Sequence, residues 1–431
     1  MDASSFELLR FSVEGQAQRL RSVLAALGRD QRGSTYVEFV DRHLAALESL
    51  AAITANDFTG ASEAEKTIYG RKLSRVRSLL NELHGEVFDF RNDVGRRDLP
   101  SGLLYLIDYL IEDLLKASGD PIIHLDGNYM YSTQRLVDRW RNFSKELGVG
   151  WVEPAEPVIF NLPGLDPGNA LLAPVLAHEV GHSVIQRHDL VSEVGARLDV
   201  NAVDGLTKNF RAAEPSADVD DALRQFAAWT VELLCDALAT ELTGPCFLFS
   251  VAVFFPASAA GQSGANHPDP AQRFELALYQ LSSNGWTSAL QRLAPDLFAW
   301  LQAVAKTPPL MSVSPREAFL RKLVDLARPT IAEVAHEYVD ASLDWTAFEH
   351  FEEVLEELLN AGIPPAELAG DPVPPWHVVA SIWLYAISVH GDSPRGLVAS
   401  VDDADLSRFA LKTIEMSRVL QLWKADDAPA A

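Results

Sequence analysis

Residues 170–190 read ALLAPVLAHEVGHSVIQRHDL, and residues 178–182 within them form the pattern H-E-x-x-H. Positions i and i+4 of an α-helix lie about 40° apart, so His178 and His182 project from one face. Two imidazoles on one face can occupy two corners of a zinc tetrahedron, and Glu179 beside them can take a proton from an attacking water. The opposite face is apolar, which predicts packing into a core; its residues are Ala173, Ala177, Val180 and Val184.

A catalytic zinc site needs a third protein ligand, and the sequence offers two candidates. Glu232 shares a helix face with Asp236, by the same i, i+4 spacing, in a segment otherwise rich in Leu, Ala and Val. Unpaired carboxylates in such a segment would be costly to bury. Glu232 is therefore predicted to bind the metal, and Asp236 to accept a hydrogen bond from a ligating histidine.

His188 is the alternative third ligand, because it stands ten residues after His178. That offset matches the metzincin pattern H-E-x-x-H-x-x-G-x-x-H, in which the glycine lets the chain turn back towards the metal. Ile185 occupies the glycine position here, and a β-branched residue disfavours such a turn. The sequence thus favours Glu232 and leaves His188 as the second choice, while Cys235 is expected in the core.

The H-E-x-x-H pattern followed by Glu232-x-x-x-Asp236 resembles the gluzincin metallopeptidases. It is most similar to the branch that contains the HtpX-like heat-shock proteases and the prenyl-protein endopeptidases. The resemblance covers residues 158–275 and implies a zincin-like core that binds Zn²⁺ and hydrolyses a peptide or protein substrate. Those relatives are membrane proteins, whereas no membrane span is expected in this chain. The resemblance therefore implies a soluble relative, and the substrates of the membrane proteins are not carried over to it.

The same branch has a His-Pro segment with an arginine a few residues later, and residues 266–273 read NHPDPAQR here. We expect His267 and Arg273 to approach the oxyanion formed when a peptide carbonyl is attacked; the alternative is a Pro-rich turn with an incidental histidine. The resemblance also implies that residues 158–161 form a sheet edge that pairs with an extended substrate; the alternative is a plain buried strand.

The composition is that of a globular chain of 431 residues, 48% hydrophobic and 22% charged. Its net charge is −24, and no Lys or Arg lies between Arg328 and Arg395. A nucleic-acid-binding protein needs the opposite balance, so no nucleic-acid partner is expected. Two cysteines make no disulfide framework, which is typical of a reducing, cytoplasmic location.

Neither a signal peptide nor a membrane span is expected, so the sequence predicts a soluble protein. The N-terminal residues MDASSFELLRFSVEGQ carry charges where a signal peptide needs an apolar segment. The longest uncharged run, residues 242–266, is interrupted by glycines and prolines. Its apolar part is residues 246–255, whereas a span needs about 20 residues, so it predicts a buried helix.

The chain is predicted to be mainly α, of the α+β type, with a zincin-like metallopeptidase core and a small β-sheet flanked by helical regions. The predicted regions are an N-terminal helical region (1–150), the core (151–284) and an acidic C-terminal helical region (285–431). Residues 158–160 are the best strand candidate. Helix starts are predicted from capping patterns, namely Ser4 with Glu7, Ser62 with Glu65, Ser314 with Glu317, and Thr346 with Glu349.

The resulting functional hypothesis is a zinc peptidase in which Glu179 is the general base and His178, His182 and Glu232 hold the metal. The alternative is a catalytically silent zincin-fold scaffold that acts as a binding or regulatory protein. A silent member would normally have lost Glu179, which this chain retains. The oligomeric state is not predicted.

Overall fold

The computed structural model describes residues 2–27, 34–94, 99–116, 122–126, 131–135, 141–148, 158–163, 168–254, 264, 266–293, 295–306, 313–339, 365–368, 370–390 and 403–427. Helices make up 82% of it, with a small sheet of three strands, so the prediction of a mainly helical chain is confirmed. No helix among these residues is long and apolar enough to cross a membrane. The helix predicted from Thr346 and Glu349 lies outside the described residues.

The first helices along the chain are α1 (Ala3–Leu27), α2 (Ser34–Ala51), α3 (Ala55–Gly60), α4 (Glu63–Val94), α5 (Ser101–Leu110) and α6 (Arg141–Leu147). After them come α7 (Pro174–His188), α8 (Leu190–Arg197), α9 (Val200–Ala213), α10 (Val219–Thr243), α11 (Pro245–Phe254) and α12 (Pro270–Ser283). The last are α13 (Trp286–Leu293), α14 (Pro295–Ala305), α15 (Pro315–Tyr338), α16 (Pro375–His390) and α17 (Asp403–Asp427). A π-helical turn (Ile111–Leu115) continues α5, and a 3-10 turn (Ala170–Leu172) precedes α7.

The chain forms two compact units, Met1–Asp98 with Ala117–Pro167, and Leu99–Lys116 with Gly168–Ala431. We call them the first and the second unit. Their bounds differ from the three regions predicted along the chain, because residues 99–116 belong with the part of the chain that follows residue 167. The H-E-x-x-H helix and the C-terminal helices lie in the second unit.

The first unit combines a helical core with a three-stranded sheet of β1 (Ile122–Asp126), β2 (Ser132–Arg135) and β3 (Val158–Pro163). Buried side chains of α1, α2 and α4 form its core, and Ile159 of β3 joins them. The strand predicted at residues 158–160 is therefore confirmed. β3 lies in the middle of the sheet, parallel to β1 and antiparallel to β2. The prediction that it forms a free edge is wrong, since both of its sides are already paired.

Helix starts follow local capping chemistry, with one departure from the predicted positions. Ser62 and Glu65 bond each other's backbone N–H, and the Ser314 hydroxyl accepts from the backbone of Glu317, as predicted. Ser4 is not a cap, because α1 begins at Ala3 and Ser4 lies within its first turn. The Asp2 side chain accepts the N–H of Ser5 instead. An aspartate just outside the first turn also suits the helix dipole.

Helix α10 is the centre of the second unit. Between residues 229 and 243 every side chain except Val231 is buried, and α7, α12 and α15 all pack against it. Helix α11, the uncharged segment, is also largely buried, which confirms its prediction as a core helix. Because α10 is surrounded, each polar residue in its buried part needs a partner.

Glu241 illustrates this requirement at the C-terminal end of α10. Its carboxylate is 1% exposed and accepts hydrogen bonds from Gln280 (2.6 Å) and Asn284 (3.0 Å) near the end of α12. His336 of α15 contacts its other oxygen through Nδ1 at 2.7 Å. One buried carboxylate thus joins three helices of the second unit.

We expect Glu241→Ala to lower the free energy of unfolding by about 2–4 kcal/mol, because the buried amide donors lose their acceptor. Glu337→Gln is the matched control, because Glu337 lies on α15 beside His336 but makes only an exposed ion pair, with Arg197 of α8. That control should unfold almost like the parent. Urea unfolding followed by circular dichroism measures both variants. Equal stability of Glu241→Ala and the parent would contradict the joining role of Glu241.

Candidate metal centre

The two histidines of the motif lie one turn apart on α7, which starts with Pro174 at its first position. The ring of His178 is buried, and that of His182 is half-buried. Their centroids are 5.2 Å apart with the planes at 89°, and His178 stacks on Phe247 of α11. The stacking and the helix together restrict the orientation of His178 before any ligand binds.

Gly181, inside the motif, lets α7 and α10 approach closely. A Cβ atom at this position would lie 3.1 Å from Cα of Cys235 and 3.2 Å from its Sγ. A side chain here would therefore press on the backbone of α10. The close approach brings the carboxylates of α10 within reach of the histidines.

Glu232 of α10 faces both histidines. Its Oε2 is 3.6 Å from Nε2 of His178, and its Oε1 is 3.8 Å from Nε2 of His182. Zinc bonds of 2.0–2.2 Å in a tetrahedron place neighbouring ligand atoms roughly 3.4 Å apart. Each of these two distances, which involve different oxygens of Glu232, is close to that spacing, and the donor set of two imidazoles and one carboxylate fits a zinc ion.

Asp236, one turn further along α10, contacts the other nitrogen of His178. Its Oδ1 lies 2.8 Å from Nδ1, so it can accept a hydrogen bond from Nδ1–H. In that tautomer Nε2 carries no proton and is free to bind a metal. Arg273 of α12 donates from both Nε and Nη2 to the same carboxylate, each at 2.6 Å. All three side chains are buried. This chain of contacts sets the orientation of His178, as carboxylates commonly do for ligating histidines.

The charges of the site shift its pKa values in opposite directions. Burial lowers the pKa of His178, but hydrogen bonds to Asp236 and Glu232 outweigh it and raise this pKa to about 9. Burial raises the pKa of Asp236, yet the Arg273 guanidinium outweighs it and holds this pKa at about 2. Burial, with the neighbouring His178, lowers the pKa of His182 to about 4. The carboxylates thus favour a positive charge at His178, which a proton or a metal ion can supply.

Cys235 is a second possible donor, although the sequence predicted only a core residue. Ligand atoms of Cys235, His178 and His182 lie within 4.8 Å of one another. Burial, with the charges of Glu232 and Asp236, raises the pKa of the thiol well above its usual value. Burial raises the pKa of Glu232, but hydrogen bonding to His178 outweighs it and lowers this pKa, so the carboxylate can bind a metal without the proton loss that the thiol requires. The i, i+3 spacing from Glu232 was the sequence signal for Cys235.

His188, the alternative third ligand, lies elsewhere. It is the last residue of α7, is exposed, and its ring is 5.1 Å from that of Tyr338 in α15. The group of possible metal ligands found among the described residues is His178, His182 and Cys235, so it includes neither His188 nor Glu232; Glu232 nevertheless faces both histidines, whereas His188 does not. Ile185, at the position where metzincins have glycine, is buried in the continuing helix, so the chain does not turn back.

His267 and Arg273 occupy different positions, although the sequence predicted one role for both. Nδ1 of His267 is 3.0 Å from Oε2 of Glu232, and its side chain is 64% exposed. Arg273 is buried and contacts Asp236, whose charge requires a buried cation nearby. Arg273 therefore acts through Asp236 and His178, and only His267 of the two lies at the open side of Glu232.

Glu179 follows His178 on α7 and is half-buried. It is close enough for its charge to act on the Cys235 thiol. The centre thus combines two imidazoles, a carboxylate facing both, and a further carboxylate beside them. Such a set can bind a divalent metal and accept a proton next to it.

Comparisons with known proteins identify no relative of this chain. No protein-family model, no curated protein and no solved structure matches it.

Zinc binding by single variants distinguishes the candidate third ligands. Glu232→Ala should weaken zinc binding most, because the substitution removes the carboxylate that faces both histidines. Cys235→Ser should bind zinc nearly as the parent does, and His188→Ala is the matched control on α7. Competition with a chromogenic chelator ranks the variants. If Glu232→Ala bound zinc as tightly as the parent while Cys235→Ser bound none, the third ligand would be the sulfur of Cys235.

Asp236→Asn should lower zinc affinity by about 10–100-fold, because His178 loses the anion that orients it. It should also lower the free energy of unfolding of the metal-free protein by about 3–5 kcal/mol, since Arg273 is left buried without its counter-charge. The double variant Asp236→Asn, Arg273→Met should regain stability but not affinity. Parent-like zinc affinity in the double variant would show that Asp236 does not act through His178.

Proposed function

We propose that this protein is a zinc-dependent peptidase of the gluzincin type with a zincin-like core. The observation that carries the proposal is the approach of Glu232 to both histidine Nε2 atoms, at 3.6 and 3.8 Å, with Glu179 adjacent on the same helix as the histidines. His178, His182 and Glu232 would hold the ion. When bound, zinc supplies a Lewis acid that polarises a carbonyl and makes water nucleophilic near neutral pH.

The residues of the chain perform the proton transfers. Glu179 takes the proton of the attacking water and passes it to the departing amine, the usual task of a carboxylate general base. His267, on the exposed side of Glu232, donates a hydrogen bond to the oxyanion that develops on the substrate carbonyl. Asp236 and Arg273 keep His178 in its binding orientation and do not contact the substrate.

An open coordination position separates this proposal from the scaffold alternative. Catalytic zinc sites have three protein ligands and one open position, whereas structural sites are closed by four. The side chain of His182 is 36% exposed and that of His267 is 64% exposed, so one side of the centre is accessible to a peptide. A site in which Glu232 and Cys235 both bound the ion would be closed and would support the scaffold.

Glu179→Gln should retain stoichiometric zinc, because its ligands are unchanged, while peptide hydrolysis falls by roughly two orders of magnitude or more. Metal analysis of the purified variants and digestion of a peptide library measure the two quantities. Glu193→Gln is the matched control, since Glu193 is a glutamate of the next helix that pairs with Arg197.

Equal hydrolysis by Glu179→Gln and the parent would trace the activity to another site or to a contaminant. Zinc retained without hydrolysis in the parent, together with loss of zinc in Cys235→Ser, would favour the closed scaffold site.

A further inference from the structure

The turn that carries His267 is fixed to the same helix as Glu232. The backbone N–H of Gly264 donates to the carbonyl of His267 at 2.8 Å, which closes the turn. The indole Nε1 of Trp229 donates to the carbonyl of Gly264 at 3.1 Å. Trp229 is fully buried on α10, three residues before Glu232. The turn and the metal-facing carboxylate therefore share one rigid support.

A second anchor holds the other end of the turn. Asp269 is fully buried; its Oδ1 accepts the N–H of Ala271 at the start of α12, and its Oδ2 pairs with Nη2 of Arg321 at 2.5 Å. Arg321 lies on α15, and its side chain is 18% exposed. A buried carboxylate needs such a partner, so the ion pair determines where the residues just before α12 lie.

His267 itself has little packing, because its side chain is 64% exposed. The 3.0 Å approach of its Nδ1 to Glu232 therefore depends on the position of the turn. Both anchors of the turn are partly buried polar contacts, one to α10 and one to α15. Contacts of this kind hold outer partners of metal ligands in place.

We propose that Arg321, through Asp269, and Trp229, through Gly264, are positioning residues that keep His267 beside Glu232. Arg321 lies outside residues 158–275, the part that resembles gluzincins. The inference rests on the proposed function for its effect on hydrolysis, whereas the fixed turn itself is measurable without hydrolysis. Neither residue touches the substrate, so loss of either should lower kcat more than it changes KM.

The test compares Arg321→Gln and Trp229→Phe with the matched control Arg328→Gln in the zinc-loaded protein. Arg328 is also on α15, is similarly buried at 16% exposure, and binds Glu275 of α12 without contacting the turn. Trp229→Phe keeps an aromatic ring in the core but removes the N–H donor together with part of a fully buried ring, so its free energy of unfolding is measured beside the exchange rate. This variant tests the turn even where Arg321→Gln folds poorly.

In both test variants, amide hydrogen exchange at Gly264 should be about tenfold faster or more, because the hydrogen bond to His267 opens more often. We expect kcat to fall about 10–100-fold while KM and zinc affinity stay within about twofold. The control should match the parent in all four quantities. Arg321→Lys, which keeps the charge, should restore part of kcat.

Parent-like exchange at Gly264 in both test variants would overturn the inference. So would an equal fall of kcat in Arg328→Gln, because the effect would then be a general consequence of disturbing α15. Absence of hydrolysis in the parent would instead count against the proposed function, and the exchange rates would still decide whether the two anchors hold the turn.

Discussion

The centre depends on one buried charged contact, the carboxylate of Asp236 between Nδ1 of His178 and the guanidinium of Arg273. A carboxylate as buried as this one is tolerated only when it is paired and hydrogen-bonded. The pairing links α7, α10 and α12 at a single point, and it directs Nε2 of His178 towards Glu232. Without this contact, the charges of Asp236 and Arg273 would be buried without a partner, and His178 would not be held towards Glu232.

The same constraint applies to the other buried polar groups of α10. This helix carries Glu232, Cys235 and Asp236 within two turns, and Trp229 and Glu241 on either side of them. All five are buried, and contacts from outside α10 reach Trp229 from the turn at Gly264, Asp236 from α7 and α12, and Glu241 from α12 and α15. Helix α10 can therefore hold the donor atoms rigidly, because moving it would break several buried polar contacts at once.

Glu232 and Cys235, which lie about one turn apart on α10, are the two candidates for the third metal ligand. Glu232 faces both histidines, whereas the Cys235 thiol lies against Gly181 of α7, and burial together with the charges of Glu232 and Asp236 raises its pKa. Under the proposed function, zinc held by His178, His182 and Glu232 without Cys235 would keep an open position for a substrate group on the side of His182 and His267.

Local spacing determined much of this arrangement before folding. The i, i+4 rule placed His178 with His182 and Glu232 with Asp236 on single helix faces, and both pairs lie together in the structure. The capping patterns at Ser62 and Ser314 and the strand at residues 158–160 depend equally on neighbours in sequence, and they too were predictable. The functional assignment remains a proposal that rests on these residues.

Tertiary structure alone decided the rest, because it depends on partners far apart along the chain. Whether β3 is central or an edge is set by strands β1 and β2, and no property of residues 158–163 encodes it. Arg273 turns to Asp236 rather than to a substrate because a buried anion needs a cation, and its burial follows from the packing of α12 on α10. Likewise, Arg321 joins the centre from α15 through Asp269, 52 residues away in sequence. Sequence periodicity reports which residues share a face of one helix, whereas contacts between helices are fixed only when burial forces each charge to find its partner.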